Sequence, residues 1–150
     1  MIKVYTIGFT KKTAEEFFNL LELNNIKVVL DVRLNNVSQL AGFTKGNDLK
    51  YFLYKILTVE YLHNTQFSPT KEILMDYKNK VITWGEYEKE FNMLLRKRKL
   101  ETYIREYLID KLDSICILCS ESEPTFCHRR LVAEYIKEIL TGEDIEIIHI

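Results

Sequence analysis

The chain has 150 residues, 47% of them hydrophobic and 29% charged, enough for one domain with a sizeable core. Its formal net charge of -1 gives no global pull toward nucleic acid or membrane, so a polyanion partner has to be met by a local patch. No apolar run reaches the roughly 18 residues that span a bilayer, and the opening MIKVYTIGF is too short and too punctuated for a secretory signal; a cytoplasmic protein with no membrane partner is expected.

Strand and helix patterns alternate along the chain. KVYTI (3–7) is a β-rich run ended by Gly8. TAEEFFNLLELNN then has a helical period, with Phe17, Phe18, Leu20, Leu21 and Leu23 apolar, and Thr13 with Glu16 is a capping-box signal. KVVLDVR (27–33) is a continuous β-branched run, as in a strand covered on both faces. A loop, LNNVSQLAGFTKG, leads to a helix, LKYFLYKIL, for which Asn47 or Asp48 is the expected cap. VEYLH (59–63) is a short strand candidate. From Thr70 to about Lys111 the pattern is helical, and Thr83 with Glu86 predicts a fresh helix near Trp84. SICILC (114–119) is the next strand, FCHRRLVAEYIKEILTG a helix stopped at Gly142, and IEIIHI the last strand. Strands separated by helices predict an α/β fold: a mostly parallel, Rossmann-like sheet of about five strands flanked by helices, in a single domain, with a helical insertion before the fourth strand. The strand order is not readable from this pattern.

The three cysteines are an odd count, which argues against a disulfide framework. CILC (116–119) has the spacing of a redox or zinc motif but lies inside a strand pattern. Cys116 and Cys119 should therefore face opposite sides of the sheet, about 10 Å apart, too far for a bridge. Cys116 reads as a small buried apolar residue.

In parallel sheets, ligands bind outside the carboxyl ends of the strands. The predicted strands end in Gly8, in Asp31 and Arg33, in Tyr61 and His63, and in Cys119 and Glu121, so four of them deliver polar or permissive residues to one rim. Asp31 follows VVL in a run that should be buried, where a carboxylate needs a partner. Arg33 and the arginines of CHRR are the candidates, and the result is either a structural ion pair or an oriented site carboxylate.

The helix opening within PTFCHRR has Thr125 as its expected N-cap, with Cys127 and His128 in the first turn. Free N–H groups and the helix dipole favour an anion there. Arg129 can add a bidentate grip on phosphate or carboxylate. That setting would lower the pKa of Cys127, and His128 could serve as acid or base. Packing is the competing reading of both. Cys119, Glu121, Cys127 and His128 are suitable metal-ligand types, but their spacing matches no zinc motif, so no metal is assigned. No cofactor is assigned either: there is no Walker loop, no Gly-x-Gly-x-x-Gly and no Gly-x-Ser-x-Gly elbow. RKRK (96–99) beside Tyr87, Tyr103 and Tyr107 invites a nucleic-acid reading, but four successive helical positions make no clean stripe, and a solvated helix end is expected.

Taken together, YTIGFT, LDVR, LCSE, CHRRLVAEY and the closing IIHI resemble the domain-of-unknown-function 488 family over essentially the whole chain. DVRLNNVSQLAGFTKGNDLKYFL, SPTKEIL and ITWGEYEKEF resemble one branch of it. Where the family's pattern has His after Thr-Ile-Gly, this chain has Phe9, so a mechanism using that His would have to rely on His63 or His128. The resemblance implies a compact α/β domain and names Gly8, Asp31, Arg33, Cys119, Glu121, Cys127, His128 and Arg129 as rim residues; it supplies no substrate.

The expected function is an enzyme acting on a phosphate-bearing ligand, a nucleotide or nucleic acid, at this rim. Asp31, Glu121, Cys127 and His128 are the candidate acid, base or nucleophile, and Gly8, Arg33 and Arg129 the anion-binding set. A non-catalytic nucleotide or nucleic-acid binding module is the alternative.

Overall fold

The computed structural model of the chain describes residues 1–37 and 41–150. Five strands, β1 (Ile2–Gly8), β2 (Val28–Asp31), β3 (Glu60–His63), β4 (Ile115–Cys119) and β5 (Ile145–His149), form one sheet in the order β3-β2-β4-β1-β5. Every neighbouring pair is parallel. The central strands are wholly or largely buried, and the edge strands β3 and β5 are half exposed, which is why VVLD and ICILC read as continuous apolar runs.

Two helical layers cover the sheet. On one face lie α1 (Ala14–Leu23) and α2 (Gly46–Phe52), with Phe17, Phe18, Leu21, Leu49 and Leu53 meeting Tyr5, Ile7, Val29 and Leu118. On the other lie α4 (Trp84–Arg98), the turns after α5 (Glu101–Tyr103), and α6 (His128–Ile139); α3 (Lys71–Lys78) packs at their margin. Cys116 belongs to the first core and Cys119 to the second, as strand alternation requires. The helical insertion between β3 and β4 is present as expected.

Local signals set several boundaries. Thr13 Oγ1 accepts from Glu16 N at 3.1 Å, and Thr83 and Glu86 complete a reciprocal capping box. Three expected boundaries are corrected. Helix α2 starts at Gly46 with no side-chain cap, because Asn36 O takes the Gly46 N–H at 2.6 Å. Helix α6 is capped at Cys127 and not at Thr125. A turn closed by Cys127 N on Pro124 O at 3.2 Å delays its start, so that His128 and Arg129 enter the core. The same helix ends at Ile139, before Gly142, which does not adopt the left-handed conformation of a glycine stop.

This topology fixes where a ligand would sit. The connections after β1 and β2 run to the α1–α2 face, and those after β3 and β4 to the opposite face. Strand β4 lies between β1 and β2, so its loop leaves on the opposite side from both neighbours. Such switch points open crevices at the carboxyl edge.

Candidate functional site

The first polar cluster grows from the end of β2. Asp31 is fully buried, and two residues on, Arg33 folds back over it. Arg33 Nε lies 2.9 Å from Asp31 Oδ1, and Nη2 lies 2.7 Å from Oδ2. Asp31 also accepts the Arg33 backbone N–H at 3.1 Å and the Tyr61 hydroxyl at 2.6 Å. Asn36 Nδ2 donates to the same hydroxyl at 3.0 Å. Burial works against the Arg33 charge, but the hydrogen bonds and charge of Asp31 more than offset it, and its pKa is raised. Burial, then the Asp31 charge, push the Tyr61 phenol up as well, so it stays a donor.

Arg33 has further ties. Its Nη2 also donates to Thr44 O at 2.7 Å, and its guanidinium carbon lies 5.1 Å from the centroid of the Phe9 ring. Phe9 thus borders the guanidinium. His63 Nε2 donates to Arg33 O at 2.8 Å. Arg33 Nη1 is buried and has no hydrogen-bond partner among the described residues.

The second cluster lies on the opposite face, against α4 and α6. Cys119, at the end of β4, Cys127 and His128 are all buried, and one ligand atom from each falls within 4.8 Å of the others. Cys119 Sγ is 3.6 Å from both ring nitrogens of His128. His128 Nε2 lies 2.7 Å from Val32 O, which also accepts the Ser68 hydroxyl at 2.8 Å. A carbonyl can only accept, so Nε2 carries the proton, and neutral His128 keeps its lone pair on Nδ1. The expectation of a lowered Cys127 pKa is corrected. Its hydrogen bond with Cys119, burial, and the nearby Cys119 charge outweigh His128 and Arg129, and the thiol is pushed well up.

Arg129 does something the sequence does not suggest. It is almost wholly buried, with Nε 3.3 Å from Thr6 Oγ1, Nη1 on Glu121 O and Nη2 3.3 Å from Ser122 O. It clamps the loop after β4 to β1, and Thr10 reinforces the clamp by donating its N–H and hydroxyl to Ser120 O at 3.0 and 2.6 Å. Gly8 serves the same contact, since a Cβ there would collide with Glu121 O and lie 2.9 Å from Arg129 Nη1. Glu121 contributes its carbonyl, and its side chain is exposed.

The eight rim residues therefore divide. Asp31 and Arg33 pair on the α1–α2 face, while Cys119, Cys127 and His128 gather on the other. Gly8, Glu121 and Arg129 form a loop clamp. The two guanidinium groups expected to grip one anion stand on opposite sides of the sheet edge. Val32 bridges the first two clusters, since its carbonyl holds His128 and its neighbours in the chain are Asp31 and Arg33. Sequence reasoning assigns no role to Tyr61 or Val32: Tyr61 is signalled only by its place at a strand end, and a carbonyl has no sequence signature.

The two arginines of the basic run at the end of α4 make structural contacts. Arg96 pairs with Glu138 at 2.9 Å, and Arg98 donates to Gln66 O and Ser68 O, both at 2.6 Å. A groove of about 420 Å³ between α1 and α2, floored by Phe18, Phe43 and Phe52, holds none of the rim residues. No helix among the described residues is long and apolar enough to cross a membrane.

The chain matches no curated protein and no solved structure. The family model described as domain of unknown function DUF488 matches residues 13–136, which include every rim residue except Gly8. With the alternating α/β order and the rim motifs in place, the chain belongs to the DUF488 family.

Proposed function

We propose that this chain binds a phosphate-bearing ligand, of the nucleotide or nucleic-acid class, at the carboxyl rim beside β2. The observation that carries the reading is Arg33 Nη1, a buried cationic donor without a partner among the described residues. Leaving such a donor unpaired costs about 1–3 kcal/mol or more, and an anion oxygen is the partner that recovers it. The location supports the same reading, because Arg33 follows β2 beside β4, at the kind of switch point where parallel sheets bind ligands.

Binding is supported better than catalysis. The Asp31 carboxylate is filled by Arg33 and Tyr61, which leaves it poorly placed as a base. Cys127 is buried and held as a thiol. Of the candidate catalytic groups, Glu121 alone has an exposed side chain, while His128 is buried with Nε2 held by Val32 O. Three free, buried cysteines fit a reducing, cytoplasmic setting.

The test is a thermal-shift panel of orthophosphate, pyrophosphate, nucleoside di- and triphosphates and a short oligonucleotide at low salt. A ligand of the folded state raises the midpoint, and Arg33→Lys, which keeps the charge but lacks Nη1, should blunt the rise. A steep loss with added salt selects nucleic acid over a mononucleotide. A panel in which no member shifts the wild-type midpoint overturns the reading.

A further inference from the structure

On the face of the sheet away from Arg33, we infer that Cys119, Cys127 and His128 form a binding site for one zinc(II) ion, with two thiolates and one imidazole as protein ligands and a fourth position open to water or an exogenous ligand.

The three donors are near enough to converge on one ion once Cys119 turns. Its Sγ lies 3.6 Å from both ring nitrogens of His128, against the ring, and binding requires it to rotate toward the Nδ1 lone pair, where zinc bonds of about 2.3 Å to sulfur and about 2.0 Å to nitrogen set a tetrahedral S···N spacing of about 3.6 Å. All three donors lie within 4.8 Å of one another, and no fourth His, Cys, Asp or Glu joins them among the described residues.

The tautomer is the second, independent support. Ligating histidines donate their other ring N–H to a carboxylate or carbonyl, which fixes the ring and frees the ligating lone pair. His128 Nε2 does this with Val32 O at 2.7 Å, and Ser68 fixes that carbonyl in turn. Charge agrees as well. Two thiolates, a neutral imidazole and Zn²⁺ sum to zero, so the complex suits a pocket whose protein ligands are all buried, where a lone thiolate would not be tolerated. Thiolate with imidazole in a tetrahedral set selects zinc over magnesium or calcium.

The third cysteine supplies the control. Cys116 is on the opposite face of β4 and buried in the α1–α2 core. The experiment uses the full chain, reduced under anaerobic conditions. Bound zinc is measured by elemental mass spectrometry, and cobalt(II) is titrated as a spectroscopic probe. One equivalent of zinc is expected, with thiolate-to-cobalt charge transfer and the intense d–d bands of a tetrahedral site. Cys116→Ala should retain both signals, while Cys119→Ser and Cys127→Ser should lose stoichiometric binding. Should the serine variants fold poorly by circular dichroism, the wild-type cobalt spectrum still decides, since a site without sulfur gives no charge-transfer band. Substoichiometric metal, an octahedral cobalt spectrum, a Cys119–Cys127 disulfide that forms while zinc is present in excess, or binding lost in Cys116→Ala alone overturns the site. None of these readouts depends on phosphate binding at Arg33.

Discussion

The carbonyl oxygen of Glu121 stands where the Cβ of any larger residue at position 8 would have to go, so Gly8 and the loop after β4 are built around each other. The backbone of Gly8 is not in the left-handed region, so the requirement is for space and not for dihedral freedom. Gly8→Ala has to push away both a carbonyl and the Arg129 Nη1 that holds it. We expect a loss of about 3 kcal/mol, at the upper end for overpacking, measured by urea unfolding. A loss of a few tenths of a kcal/mol would mean that the loop yields freely and that Arg129 is no clamp.

The Asp31–Arg33 pair is buried on both sides, which sets an unequal penalty for breaking and for replacing it. Removing one partner strands the other charge, at about 3–5 kcal/mol. Asp31→Leu should show that loss in denaturant unfolding. The pair Asp31→Leu with Arg33→Met leaves no stranded charge, and should be more stable than Asp31→Leu alone. Tyr61→Phe, which deletes a 2.6 Å donor to the same carboxylate, should cost about 1.5–3 kcal/mol.

Cys116 gives a pH dependence of definite sign. Burial pushes its thiol up, against the weaker opposing pull of Arg129 and Lys12. The folded state therefore keeps the proton after the unfolded chain, with a thiol pKa of about 8.5, has released it. The stabilisation is complete below that pH and is lost as pH rises through it, because ionisation then favours the unfolded chain. The thermal midpoint should fall between about pH 8 and 9.5, a window chosen below the ordinary tyrosine range of about 10. Cys116→Ala should reduce that decline, with the remainder from the Cys127 thiol, which is pushed up as well; an equal slope in the variant would assign it to other groups.

Much of this arrangement is legible in the sequence because it is local. The Thr83–Glu86 box spans one helical turn, the Cys116–Cys119 split follows from strand alternation, and Asp31 and Arg33 lie two residues apart. What escapes depends on distant partners. Thr125 has the chemistry of a cap, yet the start of α6 is set by burying His128 and Arg129. Asn47 and Asp48 lose the start of α2 to the Gly46 N–H, which donates to Asn36 O. The insertion of β4 between β1 and β2 rests on long-range pairing that no single segment encodes. Arg129 resembles an anion ligand in sequence because its real partners, Glu121 O and Ser122 O, are backbone atoms.

The His128 tautomer is the most direct check on the face opposite Arg33. Val32 O accepts from Ser68 Oγ and His128 Nε2, which fills both of its lone pairs. The ring must therefore be protonated at Nε2, which leaves the Nδ1 lone pair without a proton, and Cys119 Sγ lies 3.6 Å from both ring nitrogens. Long-range proton–nitrogen NMR on the metal-free chain, recorded where the ring is neutral, should show one protonated and one pyridine-like nitrogen for His128, with the protonated one assigned to Nε2. Ser68→Ala removes one of the two donors to Val32 and should cost about 1 kcal/mol while leaving the tautomer unchanged. Adding zinc should then shift the Nδ1 resonance and leave the Nε2 proton in place. A proton found on Nδ1 would break the Val32 hydrogen bond as drawn and remove the lone pair on which the metal site depends.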